Sequence, residues 1–142
     1  MVRYTLSKQE RLCSLKGIEL LFKAGQSLAK YPVRLVWQEP DDPKTQEFPV
    51  QVMFSVSKKK FPRAVDRNRI KRLMREGYRL YKPTLYTLLP QGKFYQLAII
   101  YTGTAILDFT VIQKSITVAL ERWSKNITVT QPPSATGGNL QA

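Results

Sequence analysis

The chain reads as an α+β protein, a single-domain α/β sandwich in which one sheet carries packed helices, in the order α-β-β-α-β-α. Three observations predict this. Apolar residues recur at spacings of three and four near residues 14–24, 64–82 and 107–126. Between them, residues 31–38, 50–57 and 97–102 alternate in polarity or run apolar at strand length. The chain has 142 residues, 43% of them hydrophobic and 11% aromatic. That supports one domain with a modest core.

The elements follow in order. Ser7-x-x-Glu10 has the form of a capping box, and Ser14 is a second candidate N-cap. Leu15, Ile18, Leu21 and Phe22 predict a helix over about 14–24, with Gly25 suited to the C′ position. In the strand from Tyr31 to Gln38, Val33, Leu35 and Trp37 share one face, with Arg34, Val36 and Gln38 on the other. Glu39-Pro40-Asp41-Asp42-Pro43 opens a polar loop. In the strand from Val50 to Ser57, Val50, Val52, Phe54 and Val56 face the core, and Gln51, Met53, Ser55 and Ser57 make a half-open face. The loop length favours an antiparallel hairpin between these two strands.

The stretch from Ser55 to Arg79, SVSKKKFPRAVDRNRIKRLMREGYR, is the most lopsided in charge. It holds nine Lys or Arg between Lys58 and Arg75 against the single acid Asp66, and by Lys82 it has gathered eleven of the chain's 23 basic residues. Pro62 keeps the preceding chain extended. Ile70, Leu73, Met74, Gly77, Tyr78 and Tyr81 predict a helix from Ala64 to Lys82, roughly 28 Å long at about 1.5 Å per residue. Asp66 in its first turn complements the helix dipole. Asn68, Lys71, Arg72, Arg75 and Arg79 fall opposite the apolar stripe. Solvated helix faces ordinarily mix signs to gain i,i+4 pairs. This stripe has no acid, and Asn68 is a poor helix former, so a polyanion-binding surface explains it better.

Pro83 and Pro90 bracket a segment predicted as a short helical turn or a loop. Leu97 to Thr102 is apolar on both faces, as in a central strand. Asp108 is the N-cap of the last helix, whose buried stripe is Phe109, Ile112, Ile116, Ala119, Leu120 and Trp123 and which ends near Asn126. The strands flanking the basic helix suit parallel neighbours, and general sheet chirality would make that crossover right-handed. The domain is predicted as 1–126. Residues 127–142, rich in Pro, Gly, Ser and Thr, are predicted as a disordered tail.

Charge and composition exclude several function classes. A formal charge of +13 predicts an acidic partner, either nucleic acid or an anionic membrane surface. No apolar run approaches the length of a membrane span, and the N-terminus lacks the apolar core of a secretion signal, so a cytoplasmic protein without a membrane partner is expected. The single cysteine, Cys13, forms no internal disulfide and no cysteine-based zinc site. Without histidine there is no Ser-His-Asp or Cys-His nucleophile. The ten acids are scattered, four of them (Glu39, Asp41, Asp42, Glu47) in one predicted loop. No catalytic residue and no metal ligand is assigned to the chain.

The string Ala64-Val65-x-Arg67-Asn68-Arg69-Ile70-Lys71-Arg72-Leu73-x-Arg75-Glu76, preceded by Ser55-Val56-Ser57-Lys58-Lys59, closely resembles the signature of the bacterial ribonuclease P protein component. The resemblance extends, more thinly, from about Glu10 to Asn126. It implies a fold similar to the second domain of ribosomal protein S5, with a rare left-handed βαβ crossover. It implies binding to the catalytic RNA of ribonuclease P and to precursor tRNA, whose 5′ leader is removed by hydrolysis that depends on Mg²⁺ bound mainly by the RNA. Lys58, Lys59, Lys60, Arg67, Asn68, Arg69, Lys71, Arg72, Arg75 and Arg79 are the implied RNA-binding residues. A leader cleft between the first helix and the open sheet face is implied at Ile18, Phe22, Val36, Ser55 and Ser57. Other family members carry aromatics at the positions of Ile18 and Val36. A structural RNA-binding protein of the same fold, a self-sufficient nuclease and a DNA-binding protein stay open as alternatives.

Overall fold

The computed structural model describes residues 10–11, 21–23, 25–40, 48–90 and 92–130. Four strands form one sheet: β1 (Gln26–Lys30), β2 (Val33–Gln38), β3 (Val50–Val56) and β4 (Tyr95–Tyr101), in the spatial order β1-β2-β4-β3. Helix α1 (Ala64–Leu88) connects β3 to β4, which are parallel, and α2 (Phe109–Thr130) follows β4. The apolar run at 97–102 is the core of β4, which lies between β2 and β3 as a strand buried on both faces should.

Two sheet expectations are corrected. The strand over 31–38 forms no hairpin with β3. It pairs antiparallel with β4 on one side and with β1 on the other. The most apolar strand takes the centre, and the two amphipathic strands flank it. Strand β1, QSLAK, is absent from the predicted order because its only large apolar residue is Leu28. It is an edge strand, mostly exposed, held by its register with β2.

One face of the sheet carries the main core. Val33, Leu35 and Trp37 of β2, Val50, Val52 and Val56 of β3, and Tyr95, Leu97, Ile99 and Tyr101 of β4 meet the apolar stripes of both helices. The α2 stripe is as predicted, with Ile112, Ile116, Ala119, Leu120 and Trp123 fully buried and Phe109 half-buried. Trp123 lies between the rings of Trp37, 6.0 Å away, and Tyr95, 5.5 Å away. Asp108 stands at the N-cap, its carbonyl accepting from the Ile112 N–H at 3.1 Å. The helix continues past Asn126 to Thr130, because Ile127 still reaches the core. Residues 131–142 of the predicted tail lie outside the described residues.

Helix α1 also runs beyond its predicted end, through Pro83 to Leu88. An internal proline costs about 3 kcal/mol. Burying Leu85 and Leu89, with almost no exposure left, returns about 1.5–3 kcal/mol each. Tertiary burial therefore outweighs the local penalty. Gly77 lets α2 come close, since a Cβ there would stand 3.3 Å from Gln113 Cα and from Ile116 Cδ1.

The N-terminal segment is tied to this helix from far away in sequence. The Glu10 carboxylate is buried and accepts from Lys82 Nζ at 2.8–3.0 Å and from the Tyr86 hydroxyl at 2.6 Å. Ser7 lies outside the described residues. Next to Glu10, Arg11 makes an isolated parallel bridge with Val52, on the edge of β3. Of the predicted helix over 14–24, residues 21–23 are described, and they are helical. Gly25 ends it for a steric reason. Its N–H donates to Leu21 O at 2.9 Å, and a Cβ would fall 2.4 Å from that oxygen and 2.8 Å from Val36 Cγ1.

Candidate nucleic-acid interface

The basic surface starts in a turn that the sequence builds locally. Ser57 Oγ accepts the N–H groups of Lys59 and Lys60 at 3.2 and 3.3 Å, and Ser57 O accepts the Phe61 N–H at 3.0 Å. Phe61 is buried against the Tyr101 ring, 5.9 Å between centroids. Arg67 reaches back from the first turn of α1, donating through Nη1 to Phe61 O (2.9 Å) and Pro62 O (2.8 Å). Lys60 Nζ donates to Thr102 O at 3.1 Å, just past β4. The loop is thus pinned to the sheet and to the helix it feeds, while Lys58, Lys59 and Lys60 remain exposed.

Along α1 the apolar stripe is buried at Ile70, Met74, Gly77, Tyr78, Lys82 and Leu85. That turns Asn68, Arg69, Arg72 and Arg75 outward, all exposed, with Lys71 and Arg79 half-buried at the flanks. The predicted stripe is therefore real as geometry, with two refinements. Arg75 lies over the Phe54 ring, 5.9 Å from its centroid, a contact that orients a planar guanidinium. Arg79 hydrogen-bonds through Nε and Nη2 to the Glu76 carboxylate. That hydrogen bond holds the Glu76 carboxyl below its ordinary value, so one cation of the stripe is already matched. Lys82, counted in the basic run, is buried against Glu10 and faces no partner molecule.

The second sheet face is shallower. Registers align Arg34, Ile100 and Ser55 in one row across β2, β4 and β3, Val36, Ala98 and Met53 in the next, and Gln38, Gln96 and Gln51 in a third. Leu21 buries Val36 and Ala98, with Met53 and Ile100 packed alongside. Val36 is therefore floor beneath the helical segment, while Ser55 sits half-buried one row away. Ser57 lies just beyond β3 with its oxygen occupied in the Lys59–Lys60 turn. Phe22, 48% exposed, follows Leu21 at the rim. Ile18 lies outside the described residues.

Sequence reasoning passed over Arg34. It is exposed on this face, with Nη2 donating to Ser27 Oγ at 3.2 Å. The alternation that put Val36 there put Arg34 there too, so the signal was present. Gln38 and Gln96, joined by a 2.8 Å hydrogen bond, complete a polar row that period-2 reading shows only after the strands are paired.

Chemically, this is a surface of guanidinium, ammonium and amide donors, suited to phosphate oxygens and the polar edges of bases. Among the described residues no three His, Cys, Asp or Glu side chains come together as metal ligands, and no helix is long and apolar enough to cross a membrane.

Known proteins with the same features are ribonuclease P proteins. The Ribonuclease P family model matches residues 6–124. The ribonuclease P protein component of Porphyromonas gingivalis is 34% identical over 125 residues, 87% of this chain and 90% of the relative. That of Chlorobium phaeobacteroides is 42% identical over 106 residues, 70% and 73% of the two chains. The fold superposes on the RNase P proteins of Staphylococcus aureus (TM-score 0.63, 23% identity, 80% and 94% of the two chains) and Thermotoga maritima (0.62, 23%, 80% and 96%). With sequence match, fold and basic helix in agreement, this chain belongs to the ribonuclease P protein family.

Proposed function

We propose that the chain is the protein subunit of ribonuclease P. It binds the catalytic RNA and the 5′ leader of precursor tRNA and supports endonucleolytic removal of that leader in tRNA maturation. The observation that carries this reading is the array of Asn68, Arg69, Arg72 and Arg75, exposed along α1 directly after a pinned lysine loop, in a chain of this family. Arginines at successive turns grip phosphates bidentately, and lysines add compact charge. Asn68 both donates and accepts, which suits an RNA group or an ordered water.

The cationic face does not fit a divalent metal ion, so Mg²⁺ is assigned to phosphates of the RNA subunit, and the active site with it. The role left to this chain is positioning. Its helix face neutralises RNA phosphates, and the second sheet face, with Phe22 at its rim and Arg34 and Ser55 on its floor, receives the single-stranded leader. A cytoplasmic location accords with this role.

The test is cleavage of precursor tRNA by rigorously RNA-free protein, by ribonuclease P RNA with Mg²⁺, and by the two combined. Cleavage at the mature 5′ end is expected only where the RNA is present, and the protein should improve it at low salt. Specific cleavage by the protein alone would overturn the assignment of the active site to RNA.

A further inference from the structure

The turn between β1 and β2 presents Tyr31, at 63% the most exposed large hydrophobic side chain among the described residues. Its backbone, however, is held firmly. Ser115 Oγ donates to Tyr31 O at 3.0 Å, and the Thr102 N–H donates to Pro32 O at 2.7 Å. Thr102 also receives Lys60 Nζ on its carbonyl. The aromatic turn and the lysine loop therefore converge on one residue at the end of β4. The Tyr101 ring, in the residue before Thr102, packs on Phe61. Behind Phe61 stands Arg67, so the line from Tyr31 to the start of α1 is continuous through packed and hydrogen-bonded groups.

An aromatic ring left in water on a fixed backbone, in a turn anchored on the same residue, Thr102, as a lysine loop, has the composition of a base-stacking platform. The ring supplies a π-face at little cost in ordering, and the lysines supply charge for the flanking phosphates. Lys60 uses one of its three donors on Thr102 O, which orients the ammonium and leaves two. We propose that Tyr31 stacks against an unpaired base of RNA whose neighbouring phosphates are bound by Lys58, Lys59 and Lys60. This extends the RNA surface from α1 to the β1–β2 turn and rests on the RNA-binding reading above. The unpaired nucleotide belongs either to the catalytic RNA or to precursor tRNA, and the two sources are separable.

The experiment uses full-length protein carrying Tyr31→Ala, Tyr31→Phe, Lys59→Ala or Arg72→Ala. Binding is measured first to ribonuclease P RNA, then to precursor tRNA by the assembled holoenzyme, across a salt series. Tyr31→Ala should weaken binding about five- to a hundredfold with an unchanged salt slope, and Tyr31→Phe should restore it. Lys59→Ala should instead reduce the slope by about 0.7–0.9. Loss in the first arm assigns the base to the catalytic RNA, and loss in the second alone assigns it to the precursor. In Tyr31→Trp the new indole is exposed while Trp37 and Trp123 are buried, so RNA should quench its emission selectively. Wild-type affinity of Tyr31→Ala in both arms, with no quenching of Tyr31→Trp and with Arg72→Ala weakened, overturns the platform and leaves the helix reading standing. Wild-type affinity of Arg72→Ala as well overturns the RNA-binding reading itself.

Discussion

Arg67 and Arg72 both belong to the opening turns of α1, yet their guanidinium groups serve different ends. Arg67 bonds the carbonyls of Phe61 and Pro62, whereas Arg72 points into solvent. The family motif contains both; the helical spacing puts Arg72, and not Arg67, on the outward stripe, but gives no sign of the carbonyls that Arg67 bonds. The difference predicts opposite phenotypes. Arg72→Ala should leave the melting temperature unchanged, Arg75→Ala should lower it slightly through the lost contact with Phe54, and each should reduce the salt slope of RNA binding by about 0.7–0.9 for each phosphate that is no longer neutralised. Arg67→Ala should lower the melting temperature by several degrees, at about 1 kcal/mol for each hydrogen bond removed. Thermal melts and RNA titrations on the same preparations check this, and a melting change in Arg72→Ala would contradict the outward orientation.

At the scale of elements, α1 depends on a segment far from it in sequence. Glu10 neutralises Lys82 inside the protein and accepts from Tyr86, which fastens the second half of the helix against the N-terminal segment. Glu10→Ala would remove the carboxylate that neutralises a buried ammonium and should destabilise by about 3–5 kcal/mol. Replacing the pair together, Glu10→Leu with Lys82→Met, should recover most of that, and chemical denaturation of the three proteins tests it. This pair also shows what the sequence conceals. Residue types and 3.6-residue spacing revealed α1, the α2 stripe and the central place of β4, because those signals are local. Lys82 reads as one more cation of a basic run, Glu10 gives no sign of its buried partners, and QSLAK is assigned to no element. Their roles are set by partners across the fold. Pro83 misleads for the same reason, since the burial that carries the helix past it comes from the sheet and α2.

For the whole molecule, the core among the described residues includes the fully buried Tyr78, Tyr95 and Tyr101. Burial pushes the Tyr78 and Tyr86 hydroxyls well above the ordinary tyrosine range, and pushes Tyr95 up to about 12. A raised folded-state value means the fold prefers the neutral phenol. Its contribution is complete below the ordinary value of 10.0 and is lost as pH rises through the folded value, between about 10 and 12 for Tyr95. Stability should therefore fall steeply in that alkaline window. Melts recorded across it should decline together with the appearance of tyrosinate absorbance. Early ionisation of these tyrosines without unfolding would contradict their burial. The bridge from Arg11 to Val52 has a consequence of another kind. In the sheet, β3 pairs with β4 alone, so its far side would otherwise offer a row of bare peptide groups to the strand of any other chain. Arg11 occupies that side near its middle and places a cation there. That side of β3 is thereby less open to pairing with the strand of another chain, and the short segment that anchors the helix also covers this edge of the sheet.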